Sequence, residues 1–309
     1  MSQIVSVSPH CHGKITTQSI MRDMLIALAP ALVAGIINFG WRALLVTAVC
    51  AAACMFFEWG FEKLCGKPST ISDLSAAVSG VLLAYNLPVS IPLWQAVFGA
   101  LVAMVAVKGL FGGLGKNFAN PAITGRVFML LAFSSVAGGA NPVIVELTST
   151  ATPLELIAQQ AENAPTLMEL FLGLHGGAIG ETCCLALLIG FAWLLIRKVI
   201  KWHVPVIFIA TVFVCYLIAT GDFNYALSEM LAGGLFIGAI FMATDYVTSP
   251  ITLKGKMVFA LGCGLVTFVI RYFCAYPEGV SFSILAMNIL TPYIEKLTAN
   301  TPLGGSKNG

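Results

Sequence analysis

Charge is what this sequence has least of. Only 10% of its 309 residues are Asp, Glu, Lys or Arg, against 58% hydrophobic residues, and positions 127–196 hold no Lys or Arg at all. With a mean hydropathy of +0.92, that scarcity excludes an ordinary water-soluble globule, whose surface needs far more charge. Clustered basic residues are missing too. The net charge is +2 and the Lys and Arg residues lie singly between apolar runs, so no nucleic-acid partner is expected. The alternating ~10-residue segments of a membrane barrel are absent. Nine cysteines (Cys11, Cys50, Cys54, Cys65, Cys183, Cys184, Cys215, Cys263 and Cys274) contain no CxxC pair, and most sit in apolar runs. They read as small buried hydrophobes rather than ligands. His10-Cys11-His12 offers three metal-ligating side chains, but adjacent residues do not converge on one ion, so no metal is expected there. Residues 2–19 are polar and no small-residue cleavage site follows them, so we read no cleavable signal.

What is present is a series of apolar runs, several of them reaching the ~20 residues that carry a helix across ~30 Å of hydrocarbon. Backbone groups in lipid must be satisfied within the segment, which makes these runs helices. The pattern predicts ten, over 24–39, 43–61, 74–87, 93–110, 121–136, 179–200, 204–219, 225–243, 257–273 and 280–294. With the N-terminus in the cytoplasm, all of the 16 Lys and Arg residues except Arg42 and Arg271 fall on the cytoplasmic side, as the positive-inside rule asks. The expected protein is therefore an all-α integral membrane protein, with lipid around it and both termini cytoplasmic. It divides into a cytoplasmic segment (1–22), a five-helix unit (23–137), an extracytoplasmic loop (138–178), a second five-helix unit (179–295) and a cytoplasmic tail (296–309).

Short echoes link the two units in order. Leu74–Gly80 echoes Leu227–Gly233, and Gln95–Phe98 echoes Lys256–Phe259. A unit of five crossings must alternate in orientation, so we expect about ten transmembrane helices in two inverted repeats, with sites at the repeat interface where Gly and Pro break helices. Two such places stand out, 109–121 and 243–250.

Three polar stretches interrupt this apolar background. The loop run Glu146–Leu154 (ELTSTATPL) carries Thr148, Ser149, Thr150 and Thr152 ahead of Pro153. By itself it reads as a Ser/Thr-rich helix cap with Pro at the first helical position. Asn117 and Asn120 stand three apart in Lys116–Pro121. A helical turn would place both amides on one face, where they would either pair with a planar imide ligand or simply cap helix ends. Asp245, at the cytoplasmic end of the eighth segment, is either an ion-path carboxylate or a cap for the broken segment before Pro250. Glu58, Glu181 and Arg271 lie near predicted helix ends and read as interface anchors.

Taken together, several of these stretches carry a resemblance. Ser8-Pro9-His10, Asn86-Leu87-Pro88, Gly115-Lys116-Asn117-Phe118-Ala119-Asn120-Pro121-Ala122 and Gly125-Arg126 resemble, in order, the D subunit of Rnf complexes and its relative, the B subunit of the sodium-pumping quinone reductase. So do Ser149-Thr150-Ala151-Thr152-Pro153-Leu154, Gly180-Glu181-Thr182, Ala243-Thr244-Asp245-Tyr246 and Glu278-Gly279-Val280-Ser281-Phe282. The resemblance covers essentially the whole chain. It implies a component of a redox-driven ion translocase of the ferredoxin–NAD oxidoreductase type, partnered by the A, B, C, E and G subunits. It also implies FMN in phosphoester linkage to Thr152, installed by a flavin transferase that recognises a motif here formed by Ser149, Ala151 and Thr152. Glu146 and Thr150 depart from that motif, where Asp and Gly are usual. A second, non-covalent flavin, riboflavin, is implied near Asn117 and Asn120, with Phe118 covering its ring. Asp245 is a weak ion-path candidate, and Na+ and H+ stay open as the coupled ion. The quinone-reductase relatives begin with a longer extension, which ranks that reading second. A flavin-free inverted-repeat channel or transporter is the third.

Overall fold

The computed structural model describes residues 16–133, 153–159, 161, 164–274 and 279–299. Helix α1 (Thr17–Phe39) opens on Thr16, whose hydroxyl accepts from the Ser19 amide at 3.2 Å, and stops at Gly40. Helix α2 (Trp41–Leu64) follows at once. A single 3-10 turn leads into the short α3 (Ser75–Tyr85). Helix α4 (Leu93–Leu101) runs on as a π-helix through Gly109, and α5 (Pro121–Ala132) starts with proline at its first position. Two short helices come next, α6 (Pro153–Ala158) and α7 (Leu167–Leu172), the latter closed by a capping box between Thr166 and Glu169. The second half contains α8 (Cys184–Ile196), α9 (His203–Thr220), α10 (Phe223–Leu231), α11 (Leu235–Ile237, continued as a π-helix to Met242), α12 (Leu253–Phe273) and α13 (Val280–Thr298). There is no strand among the described residues.

Among the described residues, four helices (α1, α2, α9 and α12) are long and apolar enough to cross a membrane, and α10 with Leu235–Met242 makes a fifth if that bent pair is one span. Each of the ten predicted segments overlaps one of these helices or a shorter one, but three features differ from expectation. The eighth segment is not continuous: it bends by 64° between Leu231 and Leu235. The cause is local. Ala232 is extended and Gly233 has φ +68°, a left-handed conformation that only glycine enters cheaply, so the i→i−4 ladder stops there. The sixth begins only at Cys184, because residues 176–183 form a polar turn laid over the end of α3, with Ile179 and Gly180 amides donating to Leu87 and Tyr85 carbonyls at 3.2 and 3.0 Å. The stretch predicted as one extracytoplasmic loop contains α6 and α7.

Helix pairing repeats between the halves. In the first, α2 packs on α3 and α4, and α4 on α5; in the second, α9 packs on α10 and α12, and α12 on α13. Across the halves α1 meets α8 and α5 meets α13. The echoed residues Gln95 and Lys256 are near the starts of α4 and α12. Helices α2 and α3 are in close contact at Gly80, where an added Cβ would stand 2.6 Å from the Ala51 Cα. Gly80→Leu should therefore cost about 3 kcal/mol, the upper end for overpacking. The expected sign is a lower thermal midpoint in detergent; an unchanged midpoint would refute the tight α2–α3 seam.

Candidate functional site

The loop Lys116–Asn120 is not a helical turn, contrary to the expectation from the Asn spacing. Asn117 donates from Nδ2 to the Ala119 carbonyl at 3.0 Å. The Asn120 Oδ1 accepts from the Ala122 and Ile123 amides at 3.0 and 3.4 Å, so it caps α5. Its Nδ2 donates to the Met242 carbonyl at 3.4 Å, at the end of the bent segment in the other half. Both asparagines nevertheless reach one place. They line a cavity of about 710 Å³, including its open mouth, together with Asp245, Thr244, Ser75 and Lys108. Met24, Leu82 and Phe241 give it apolar walls. This mixture of apolar surface with a few polar groups is typical of small-ligand pockets.

Asp245 sits between the bent segment and α12. Its Oδ1 accepts from the Val247 amide and its Oδ2 from the Thr248 hydroxyl, both at 3.2 Å. Desolvation by the surrounding protein raises its pKa above the usual carboxylate value, and these two hydrogen bonds work against that rise. The two Gly- and Pro-containing breaks singled out from sequence therefore meet at one cavity. Phe118 does not line it: its ring is 41% exposed and lies 4.7 Å from that of Phe111. Ser149, Ala151 and Thr152 fall outside the described residues, as do Glu146 and His10. Pro153 is the first residue of α6, and the buried Leu154 and Ile157 hold that helix against α10.

Interface anchoring was the wrong reading for Glu58, Glu181 and Arg271. All three are buried in ion pairs, because lone charges in an apolar interior must find partners. Glu58 pairs with Lys108, at the end of the π-helix, which also donates to the Ser75 hydroxyl at 2.6 Å. Arg126 lies 3.9 Å from Glu181 and donates to the Asn86 side chain. Arg271 lies 3.9 Å from Glu229 and donates to the Glu229 and Ala232 carbonyls at 2.7 and 3.2 Å. Sequence reasoning counted Lys108 and Arg126 only as cytoplasmic charges. Their position at the edges of apolar segments, with an acid in another such segment, was the available signal.

The chain matches the model of the NQR2, RnfD, RnfE family over residues 4–304. It belongs to that family. Members similar to it along nearly their whole length include the D subunit of the Na+-translocating ferredoxin:NAD+ oxidoreductase complex of Acetobacterium woodii, 44% identical over 98% of this chain and 96% of that protein. The D subunit of the proton-translocating ferredoxin:NAD+ oxidoreductase complex of Clostridium ljungdahlii is 39% identical over 97% and 96%. The D subunit of an ion-translocating oxidoreductase complex of Stutzerimonas stutzeri is 35% identical over 94% and 93%. Two NQR2, RnfD, RnfE family members this similar are thus named for different ions.

Proposed function

We propose that this chain is the membrane-embedded, electron-carrying D subunit of an Rnf-type complex, which couples electron transfer between ferredoxin and NAD to Na+ or H+ transport. The observation that carries this reading is likeness over nearly the whole length of both chains to the D subunits of such complexes. The other Rnf subunits (A, B, C, E and G) are its partners, and a flavin transferase matures it. Thr152 carries FMN by a phosphoester bond, with Ser149 and Ala151 completing the acceptor motif. Riboflavin occupies the cavity at Asn117 and Asn120. Flavins supply the electron transfer; the chain's residues bind and orient them.

The cavity suits such a ring in its donor set. The Asn117 side-chain carbonyl oxygen has no hydrogen-bond partner among the described residues and would accept from an imide N–H. The Lys108 ammonium has three donors, two of them engaged by Glu58 and Ser75, which leaves one for a ring carbonyl. Asn120 Oδ1 is committed to the α5 cap, so Asn120 would contribute only its amide nitrogen. Met24, Leu82 and Phe241 would cover the ring faces in place of Phe118. The ~30 Å of hydrocarbon between the surfaces is long for one electron step, which supports a second carrier.

Ten crossings in two inverted repeats, with cytoplasmic termini and the flavin loop outside, complete the proposal. The matching pairs α2–α4 and α9–α12, and the cross-pairs α1–α8 and α5–α13, support the repeat. The distribution of Lys and Arg supports the orientation. In inverted vesicles from native membranes, reduced ferredoxin with NAD+ should drive ion uptake, and deleting this chain should reduce it to background. Uptake that persists without the chain would overturn the role. Uptake driven by quinone instead of NAD+ would favour the quinone-reductase relative, and flavin-free transport by the purified chain would favour a simple transporter.

A further inference from the structure

A cavity distinct from the one at Asn117 lies between α6, α10 and the end of α12. It measures about 460 Å³ including its open mouth. Helix α6 and the residue after it supply Leu154, Glu155, Ala158 and Gln159 to its wall, α10 supplies Glu229 and α12 supplies Arg271. We propose that this cavity seats the isoalloxazine ring of the FMN on Thr152, and that Arg271 raises the reduction potential of that flavin. The FMN itself rests on the function proposed above; the cavity and its residues do not.

The arginine is held but not used up. Its side chain is 1% exposed and lies 3.9 Å from the Glu229 carboxylate, which accepts hydrogen bonds from the Tyr216 and Tyr225 hydroxyls. Those hydroxyls satisfy the acid, so the guanidinium approaches it without a hydrogen bond. It donates instead from Nη1 to the Glu229 carbonyl and from Nη2 to the Ala232 carbonyl, two acceptors that the end of α10 leaves open. Two of its five N–H groups are thus engaged, and the buried Nε has no hydrogen-bond partner among the described residues. A buried donor left in that state is costly unless a ligand completes it. Gly233 makes the meeting of α6 and Arg271 possible: a Cβ there would stand 2.6 Å from Leu154 Cδ1 and 3.1 Å from Arg271 Nη2.

The donor set and the point of attachment suit one ligand. The pyrimidine edge of an isoalloxazine presents carbonyl, N–H and carbonyl in turn. Spare guanidinium N–H groups match a carbonyl, and the Gln159 amide both donates and accepts. Leu154 and Ala158 offer apolar cover for a ring face. Thr152 stands two residues before Leu154, so a flavin attached there starts within two residues of the cavity wall. Charge sets the role of Arg271. A flavin that takes up two electrons and one proton, the electrons coming from the ferredoxin–NAD couple, gains one negative charge. A buried guanidinium beside the ring nitrogen N1 and its C2 carbonyl stabilises that charge. The Glu229 carboxylate, 3.9 Å from the guanidinium, moderates the effect.

The test is a redox titration of the purified intact complex, with the spectrum of the Thr152→Ala complex subtracted so that only this FMN is read. Arg271→Gln removes the cation and should shift the reduced-to-oxidised ratio about tenfold toward oxidised, about 30 mV lower for a two-electron couple. Glu229→Gln removes the moderating anion, keeps its shape, and should shift the ratio about tenfold the other way; it decides the matter if Arg271→Gln fails to assemble. Ala158→Phe fills the cavity with no change of charge and should abolish the effect of Glu229→Gln in the same chain. The ultraviolet band of the denatured chain reports covalent FMN in every sample. A band with an unmoved potential in Glu229→Gln, or shifts of one sign in both charge variants, would overturn the role of Arg271 and leave FMN on Thr152 standing. A Glu229→Gln shift that survives Ala158→Phe would overturn the seat in this cavity. No band in the wild type would refute the FMN assignment and this inference together.

Discussion

Thr152→Ala should abolish covalent flavin on this chain. A phosphoester needs a side-chain hydroxyl, and alanine has none, so the expected effect is complete loss of the fluorescent band when the denatured protein is viewed under ultraviolet light. Thr152→Ser keeps a hydroxyl and should retain part of the signal. The neighbours Thr148, Ser149 and Thr150 are also hydroxyl residues, so peptide mapping of the wild-type protein must place the modification on Thr152 itself. Folding should survive, because the substitution removes one hydroxyl and one methyl group just before α6, whose own anchors are the buried Leu154 and Ile157. A covalent band that persists in the alanine variant would sink the assignment. A wild-type protein from native membranes with no band at all would point to the flavin-free transporter reading, or show that Glu146 and Thr150 have spoiled the acceptor motif.

Arg126→Met should destabilise the protein by about 3–5 kcal/mol, the cost of stranding the partner of a buried ion pair. The guanidinium is 4% exposed. It joins three pieces of chain: α5, on which it sits; Asn86, just past the end of α3; and Glu181, in the turn before α8. The bend of the second half closes on the same spot, since a Cβ at Gly234 would stand 3.1 Å from Glu181 Oε2 and 3.6 Å from Arg126 Nη1. Removing Arg126 leaves the Glu181 carboxylate without that cation. The double variant Arg126→Met with Glu181→Met should therefore recover much of the loss. Thermal midpoints in detergent and the yield of assembled complex report both effects. A single variant as stable as the double would mean that stranding Glu181 costs nothing.

Much of the helical frame was legible because lipid leaves few options. Apolar runs at 43–61, 204–219 and 257–273 could only be helices, and α2, α9 and α12 extend them by a few residues at one end or both. The bend between Leu231 and Leu235 was not legible, because hydropathy does not change across it. Only the Gly233-Gly234 pair marked it, and those residues also suit close packing. The cavity at Asn117, Asn120 and Asp245 was half-legible: each residue stood out, but nothing local to 117 or 245 says that they meet. The buried pairs were misread for a related reason. Glu58 and Lys108, or Arg126 and Glu181, are tens of residues apart, and a charge near a helix end looks the same whether it faces headgroups or a partner. Phe118 misled in the opposite sense, since its place in a motif said nothing of the direction in which its ring points.

One side chain limits how this protein can move. Asn120 is at once the cap of α5 in the first half and a donor to Met242 in the second. Many transporters with duplicated halves work by rocking one half against the other. Here such a stroke would have to break the Asn120–Met242 hydrogen bond while Oδ1 stays on α5, so the clasp sets a resting register for the two halves at a cost of about 1 kcal/mol.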